Sequence, residues 1–140
     1  MPTWTATARH RPGLDLLLVR AGRAVERRRQ AAAAAHGLSA TGLAVLEALL
    51  DVPSASHRDL AGALGLTPAT LTPVLDALDG AGLVTRERDV RDRRVVRIAV
   101  TATGRTRSAL ASRAVDRDVA AWLPAPPAEL RGYLARIADQ

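Results

Sequence analysis

Between Ser56 and Gly82 the chain is punctuated by residues that start and stop helices at fixed places, and this leaves few folds open. Ser56-His57-Arg58-Asp59 reads as a capping box, in which the Ser hydroxyl and the Asp carboxylate each satisfy an end amide. A short helix follows, with Leu60 and Leu64 inward and Ala61 small enough for close approach. Gly65-Leu66 then turns the chain. Thr67-Pro68 opens the next helix, Thr as the cap and Pro at the first helical position, where its missing amide costs nothing. Leu71, Val74, Leu75 and Leu78 give this helix a buried face, and Gly80 and Gly82 end it. Two short helices joined by a tight glycine turn form either a helix-turn-helix or a plain αα-hairpin. These residues alone leave both open.

The next segment favours the first. Residues 83–88 and 94–100 read as two strands. In the second, Val96, Ile98 and Val100 alternate with Val95, Arg97 and Ala99, the period of a half-buried strand. Asp89–Arg93 between them is polar and tip-like. A helix-turn-helix followed at once by an antiparallel hairpin is a winged helix. The stretch "RDVRDRRVVRIAV", residues 88 to 100, carries five arginines and two aspartates, so this wing is densely cationic.

Helices flank this unit on both sides. Leu14, Leu17, Leu18, Ala21 and Val25 recur at three- and four-residue steps, and the pattern continues through Ala31–Ala35 to a stop at His36-Gly37, where Gly suits the left-handed position. Apolar residues at Leu16 and Val19 widen the face, so this long helix needs more than one partner surface. Ser39 caps a second helix with Leu43, Leu46, Leu49 and Leu50 inward, ended by Pro53-Ser54. Thr101 caps a further helix running to Trp122, with Leu110, Val115 and Val119 along it. Pro124-Ala125-Pro126-Pro127 breaks the chain before a last amphipathic helix with Leu130, Tyr133, Leu134 and Ile137. The fold expected is mainly α with a small antiparallel β-hairpin. A mobile basic tail spans 1–13, the winged helix-turn-helix spans 39–101, and helices over 14–38 and 102–140 form a separate packing unit.

At 140 residues, 48% of them apolar, one domain with a real core is expected; aromatics are 2% and Phe is absent, so that core is aliphatic. All twenty basic residues are arginine, a planar and permanently charged fork suited to phosphate oxygens. With no cysteine, disulfides, thiolate metal sites and thiol redox sensing are excluded, which fits a reducing cytoplasm. The segment MPTWTATARHRPG lacks the apolar region of a secretory signal, and no run approaches the roughly eighteen apolar residues of a membrane span. Net charge is +6, distributed as +5 over residues 1–29, −4 over 30–85, +3 over 86–97 and +2 over 98–140. A polyanion is a plausible partner, although the middle of the chain is acidic.

Catalysis finds no support in the motifs. His10, His36 and His57 are scattered through a tail, a helix end and a capping box, without metal-ligand spacing, and neither a GxSxG elbow nor a Walker-type loop is present. No enzyme activity, metal or cofactor is expected. Duplex DNA is the expected partner. The second helix of a helix-turn-helix presents its N-terminal outward residues to the major groove, here Pro68, Ala69, Thr70, Thr72 and Pro73, with Asp76 further along. No Arg, Lys, Asn or Gln stands there, so direct readout is modest, resting on Thr hydroxyls and on Thr and Ala methyls. Pro73 removes a backbone bond from the helix interior. Either the helix becomes regular only from Thr72, or the ring lies close to DNA. The wing supplies the charge through Arg86, Arg88, Arg91, Arg93 and Arg94, and Asp92 holds a guanidinium extended toward a narrow minor groove. The competing reading is a winged helix used as a protein-interaction module, supported by the acidic stretch 30–85.

Residues 58 to 105, "RDLAGALGLTPATLTPVLDALDGAGLVTRERDVRDRRVVRIAVTATGR", resemble the MarR family of bacterial transcriptional regulators. The resemblance is carried by Asp59-Leu60-Ala61, Leu64, Thr70, Thr72, Leu78, Gly82-Leu83-Val84, Arg86, Asp92, Arg94, Val100-Thr101 and Gly104. It implies a homodimer built from the first helix and the last two, a roughly palindromic operator, and repression relieved by a small ligand. It places the family's minor-groove arginine on Arg94 and its orienting aspartate on Asp92. Thr70-Leu71-Thr72-Pro73 is closest to the peroxide-sensing OhrR-type branch, whose thiol chemistry this cysteine-free chain cannot perform. Ala77 and Gly42 depart from residues common in relatives, an Arg and a Gln. The family's ligand pockets lie between the dimer helices and the winged region, which implies Arg20, Arg23, His36 and Trp122 as pocket residues.

Overall fold

The computed structural model describes residues 11–140; His10 and most of the expected basic tail, residues 1–10, lie outside the described residues. The elements are α1 (Leu14–Ala34), α2 (Ala40–Leu49), β1 (Ala55–Ser56), α3 (His57–Leu64), α4 (Pro68–Gly80), β2 (Val84–Arg88), β3 (Val96–Val100), α5 (Ala102–Trp122) and α6 (Leu130–Ala138). The expected hydroxyl caps form, whereas among the described residues the Asp59 carboxylate accepts no end amide in return. Ser39 Oγ accepts the Gly42 amide at 2.9 Å, Ser56 Oγ that of Asp59 at 3.0 Å, and Thr101 Oγ1 that of Gly104 at 3.0 Å. Each satisfies an amide that a helix start leaves without an intrahelical partner. Gly65 turns α3 into α4 in the left-handed conformation, φ 63°, which an L side chain resists.

The core joins α2, α3, α4 and the sheet through Leu43, Leu46, Leu49, Leu60, Leu71 and Ile98, each at most 2% exposed. Removing one such side chain from water contributes about 1.5–3 kcal/mol. The sheet has the order β1-β3-β2, all antiparallel, with Val84 opposite Val100 and Arg86 opposite Ile98. The expected two-stranded hairpin is therefore three-stranded. Ala55 pairs with Ile98 and Ser56 with Arg97, so the residue that caps α3 also closes the sheet edge. A strand of two residues is too short for any alternation to announce it.

α5 starts against the sheet. The Thr101 amide donates to the Leu83 carbonyl at 3.0 Å, and a Cβ on Gly104 would collide with that same carbonyl. Further along, α5 packs on α1, whose buried residues are Ala32 and Ala33 at its C-terminal end. The apolar face expected on α1 forms, but among the described residues nothing covers its first half: Leu14, Leu16, Leu17 and Val19 are 43–57% exposed. α6 has no buried residue, with Leu134 and Ile137 over 40% exposed. Among the described residues no helix is long and apolar enough to cross a membrane.

Candidate nucleic-acid interface

α4 and the wing are held to one another by charge. Arg86, at the middle of β2, donates from Nη2 to Asp76 Oδ1 at 2.7 Å, and its buried Nε lies 3.9 Å from Asp79 Oδ2 without a hydrogen-bond partner. Arg86 thus stands at the base of the wing with its guanidinium turned onto α4. Arg86 is one of the wing residues expected to face DNA, and here its guanidinium ties the wing to α4. It also offsets two carboxylates that phosphate would repel.

The N-terminal turns of α4 face solvent. Pro68, Ala69, Thr70, Thr72 and Pro73 are all exposed, opposite the buried Leu71, Leu75 and Leu78. Thr67 caps the helix, its Oγ1 accepting the Thr70 amide at 3.2 Å and lying 2.8 Å from Thr70 Oγ1. Thr72 Oγ1 donates to the Pro68 carbonyl at 3.0 Å and stands 3.2 Å from His57 Nε2. The hydroxyls expected to read bases are thus engaged within the protein. The helix runs unbroken from Pro68 through Pro73, so it does not start only around Thr72. The His57–Thr72 link has no sequence signal, because it joins side chains that only the tertiary packing of α3 on α4 brings together.

At the wing tip an aspartate sets the backbone. Asp89 Oδ1 accepts the amides of Arg91 at 2.7 Å and Asp92 at 3.2 Å, and Asp89 Oδ2 pairs with Arg97 Nε at 3.2 Å. The Arg91 amide first, then that of Asp92, hold the Asp89 carboxyl below its ordinary pKa; burial opposes them, and the charges of Arg97 and Arg91 add lesser lowering effects. Asp92 Oδ1 accepts the Arg94 amide at 3.0 Å and stands 3.5 Å from Arg94 Nε, the pairing expected from sequence. Arg88 donates to the Arg93 carbonyl at 2.8 Å and so braces the turn. Arg91, Arg93 and Arg94 project into solvent; the Arg94 side chain is 94% exposed. Sequence reasoning passed over Asp89 and Arg97. An Asp two residues before a turn is a known local backbone acceptor, so Asp89 did carry a signal.

Of the residues implied for an effector, His36 lies apart from Arg20 and Arg23. Arg20 and Arg23 lie exposed on the first half of α1, whereas His36 lies beyond its end, roughly 20 Å further along at a 1.5 Å rise per residue. Trp122 instead lines a cavity of about 290 Å³ with Ala24, Arg27, Arg28 and Ala31, and the Arg28 guanidinium sits 5.6 Å from the Trp122 ring centre. Among the described residues no group of three or more His, Cys, Asp or Glu could hold a metal.

The family model for MarR matches residues 38–96, the stretch from the end of α1 through the wing to the start of β3. The HTH-type transcriptional repressor Rv2887 of Mycobacterium tuberculosis is 34% identical over 116 residues, covering 81% of this chain and 84% of that protein. The chain belongs to the MarR family. Two solved structures of MarR-type neighbours show the same fold. The transcriptional repressor CouR bound to a 23-mer DNA duplex has a TM-score of 0.80 at 29% identity, covering 90% of this chain and 92% of that one. CouR from Rhodococcus jostii RHA1 bound to p-coumaroyl-CoA has a TM-score of 0.77 at 27% identity, with 89% and 87% covered. As a MarR-family member, this chain is a transcriptional regulator with a winged helix-turn-helix between flanking helices.

Proposed function

We propose that this protein is a cytoplasmic, homodimeric repressor that places two copies of α4 and the wing on a pseudo-palindromic duplex. The observation that carries this reading is the wing tip. Asp89 and Asp92 fix the backbone and hold Arg94 extended, and three arginines stand in solvent beside an exposed recognition helix. Such a tip suits the enhanced negative potential of a narrow minor groove. The neighbour CouR, a repressor solved on a 23-mer DNA duplex, supports duplex DNA as the partner.

Dimerisation accounts for the uncovered helices. Leu14, Leu16, Leu17 and Val19 on α1 and Leu130, Leu134 and Ile137 on α6 are each more than one-third exposed, an apolar surface that a second copy would cover. Relief of repression by a small ligand is supported by the p-coumaroyl-CoA complex of CouR. The protein-interaction alternative is less favoured, because two of the five acids in the stretch 30–85, Asp76 and Asp79, face Arg86.

Arg94→Ala tests the wing assignment against Arg136→Ala, a distal change on α6. Titrations on operator DNA should show Arg94→Ala weakening binding by roughly tenfold or more, as for loss of a charged hydrogen bond in each half-site. Arg136→Ala should bind like the parent. Equal effects of the two would remove the wing from the interface.

A further inference from the structure

Pro73 stands inside α4, on the face turned away from the core. It has no backbone N–H, so the bond that residue 73 would donate to the Ala69 carbonyl is missing, and the ring pushes that carbonyl away from the helix axis. Residues four apart share one side of a helix. Ala69 and Pro73 are both exposed, and they lie opposite the fully buried Leu71 and Leu75. The Ala69 side chain is a methyl and cannot screen the oxygen.

Among the acceptors of this turn, the Ala69 oxygen is the one that Pro73 leaves without its helical amide. A hydroxyl has a single hydrogen to donate. Thr72 gives its hydrogen to the Pro68 carbonyl, and Thr70 is paired with Thr67. Asp76 Oδ1 is held by Arg86. The first two turns of α4 therefore offer a groove methyl groups, a pyrrolidine ring, Thr hydroxyl oxygens with lone pairs left to accept, and one carbonyl released from the helical ladder.

We propose that the Ala69 carbonyl, released by Pro73, is a base-reading acceptor that takes a hydrogen bond from an exocyclic amino group in the major groove. This rests on the reading of α4 as the helix that enters that groove. On the major-groove edge, adenine N6 and cytosine N4 are donors, whereas guanine O6 and thymine O4 are acceptors and would repel a carbonyl. One backbone oxygen thus separates A or C from G or T at one position in each half-site, although α4 presents no Arg, Lys, Asn or Gln there.

The test is selection from a randomised duplex library by the full-length protein and by Pro73→Ala, followed by anisotropy titrations on the selected duplex. Pro73→Ala supplies the missing N–H and draws the Ala69 oxygen back into the ladder, and circular dichroism confirms that the variant folds. The parent should select A or C at one position of each half-site. Pro73→Ala should lose roughly three- to tenfold of that preference, the scale of one neutral hydrogen bond, with its salt dependence unchanged because no phosphate contact is lost. Replacing the selected base by purine for adenine, or by pyrimidin-2-one for cytosine, removes the amino group. That replacement should weaken the parent by the same factor and leave Pro73→Ala unaffected, and the analogue that acts identifies the base. If Pro73→Ala keeps the parent's discrimination, or the parent tolerates the amino-free base, the carbonyl reads nothing while DNA binding stands. If the parent selects no motif, the DNA-binding reading falls and this inference falls with it.

Discussion

At the tip of the wing, Asp89 accepts two backbone amides and faces the Arg97 guanidinium, and these contacts hold its carboxyl below the ordinary aspartate pKa. A lowered folded-state pKa means that the stabilisation of the tip is complete above the unfolded value, about 4, and is lost as pH falls through the folded one. Amide shifts of Arg91 and Asp92, followed by NMR, should therefore stay constant down to about pH 4 and titrate only below it. A midpoint at or above the ordinary aspartate value would show that the carboxylate does not organise the turn. Arg86 teaches a different lesson at the same scale. Its place in the chain, at the root of a cationic hairpin, gives no sign that its guanidinium points back onto Asp76 and Asp79. Charge runs show where cations are dense; which of them are already engaged depends on what folds beside them.

Among the elements, the joint between the wing and α5 is the least tolerant. Gly104 sits one turn into α5, where any Cβ would strike the Leu83 carbonyl that also accepts the Thr101 amide. Gly104→Ala should lower stability by about 1–3 kcal/mol, as for overpacking of a close contact, measured by urea denaturation. A variant as stable as the parent would show that α5 can shift freely on the sheet. The helices were legible because their signals are local. Ser39, Ser56, Thr67 and Thr101 announce four starts, and each cap forms as expected. β3 was legible from its alternation. β1 was not, since two residues have no period and pair with β3 only after α2 and α3 have brought Ala55 alongside Ile98. The site divides in the same way. Asp92 with Arg94 follows from adjacency in the chain, whereas His57 with Thr72 and Trp122 with Arg28 follow from packing alone.

For the whole molecule, the distribution of exposed surface matters more than its sum. Leucines on the first half of α1 and on α6 lie bare, and arginines and methyl-bearing residues lie bare on α4 and the wing. The first surface fits a second copy of the chain, and the second fits a polyanion with a shaped groove. A symmetric dimer then presents two wings and two recognition helices, which calls for a two-fold related DNA sequence. The central claim is that this surface prefers a particular duplex and binds it largely through phosphate contacts. The most direct measurement is fluorescence anisotropy of the purified protein on the intergenic duplex upstream of its own gene, beside a scrambled duplex, at two salt concentrations. Tight binding to the first duplex at two protein chains per site is expected, with much weaker binding to the scrambled one and a steep loss of affinity with salt as released counterions lose their advantage. Weak, equal binding to both duplexes would contradict it.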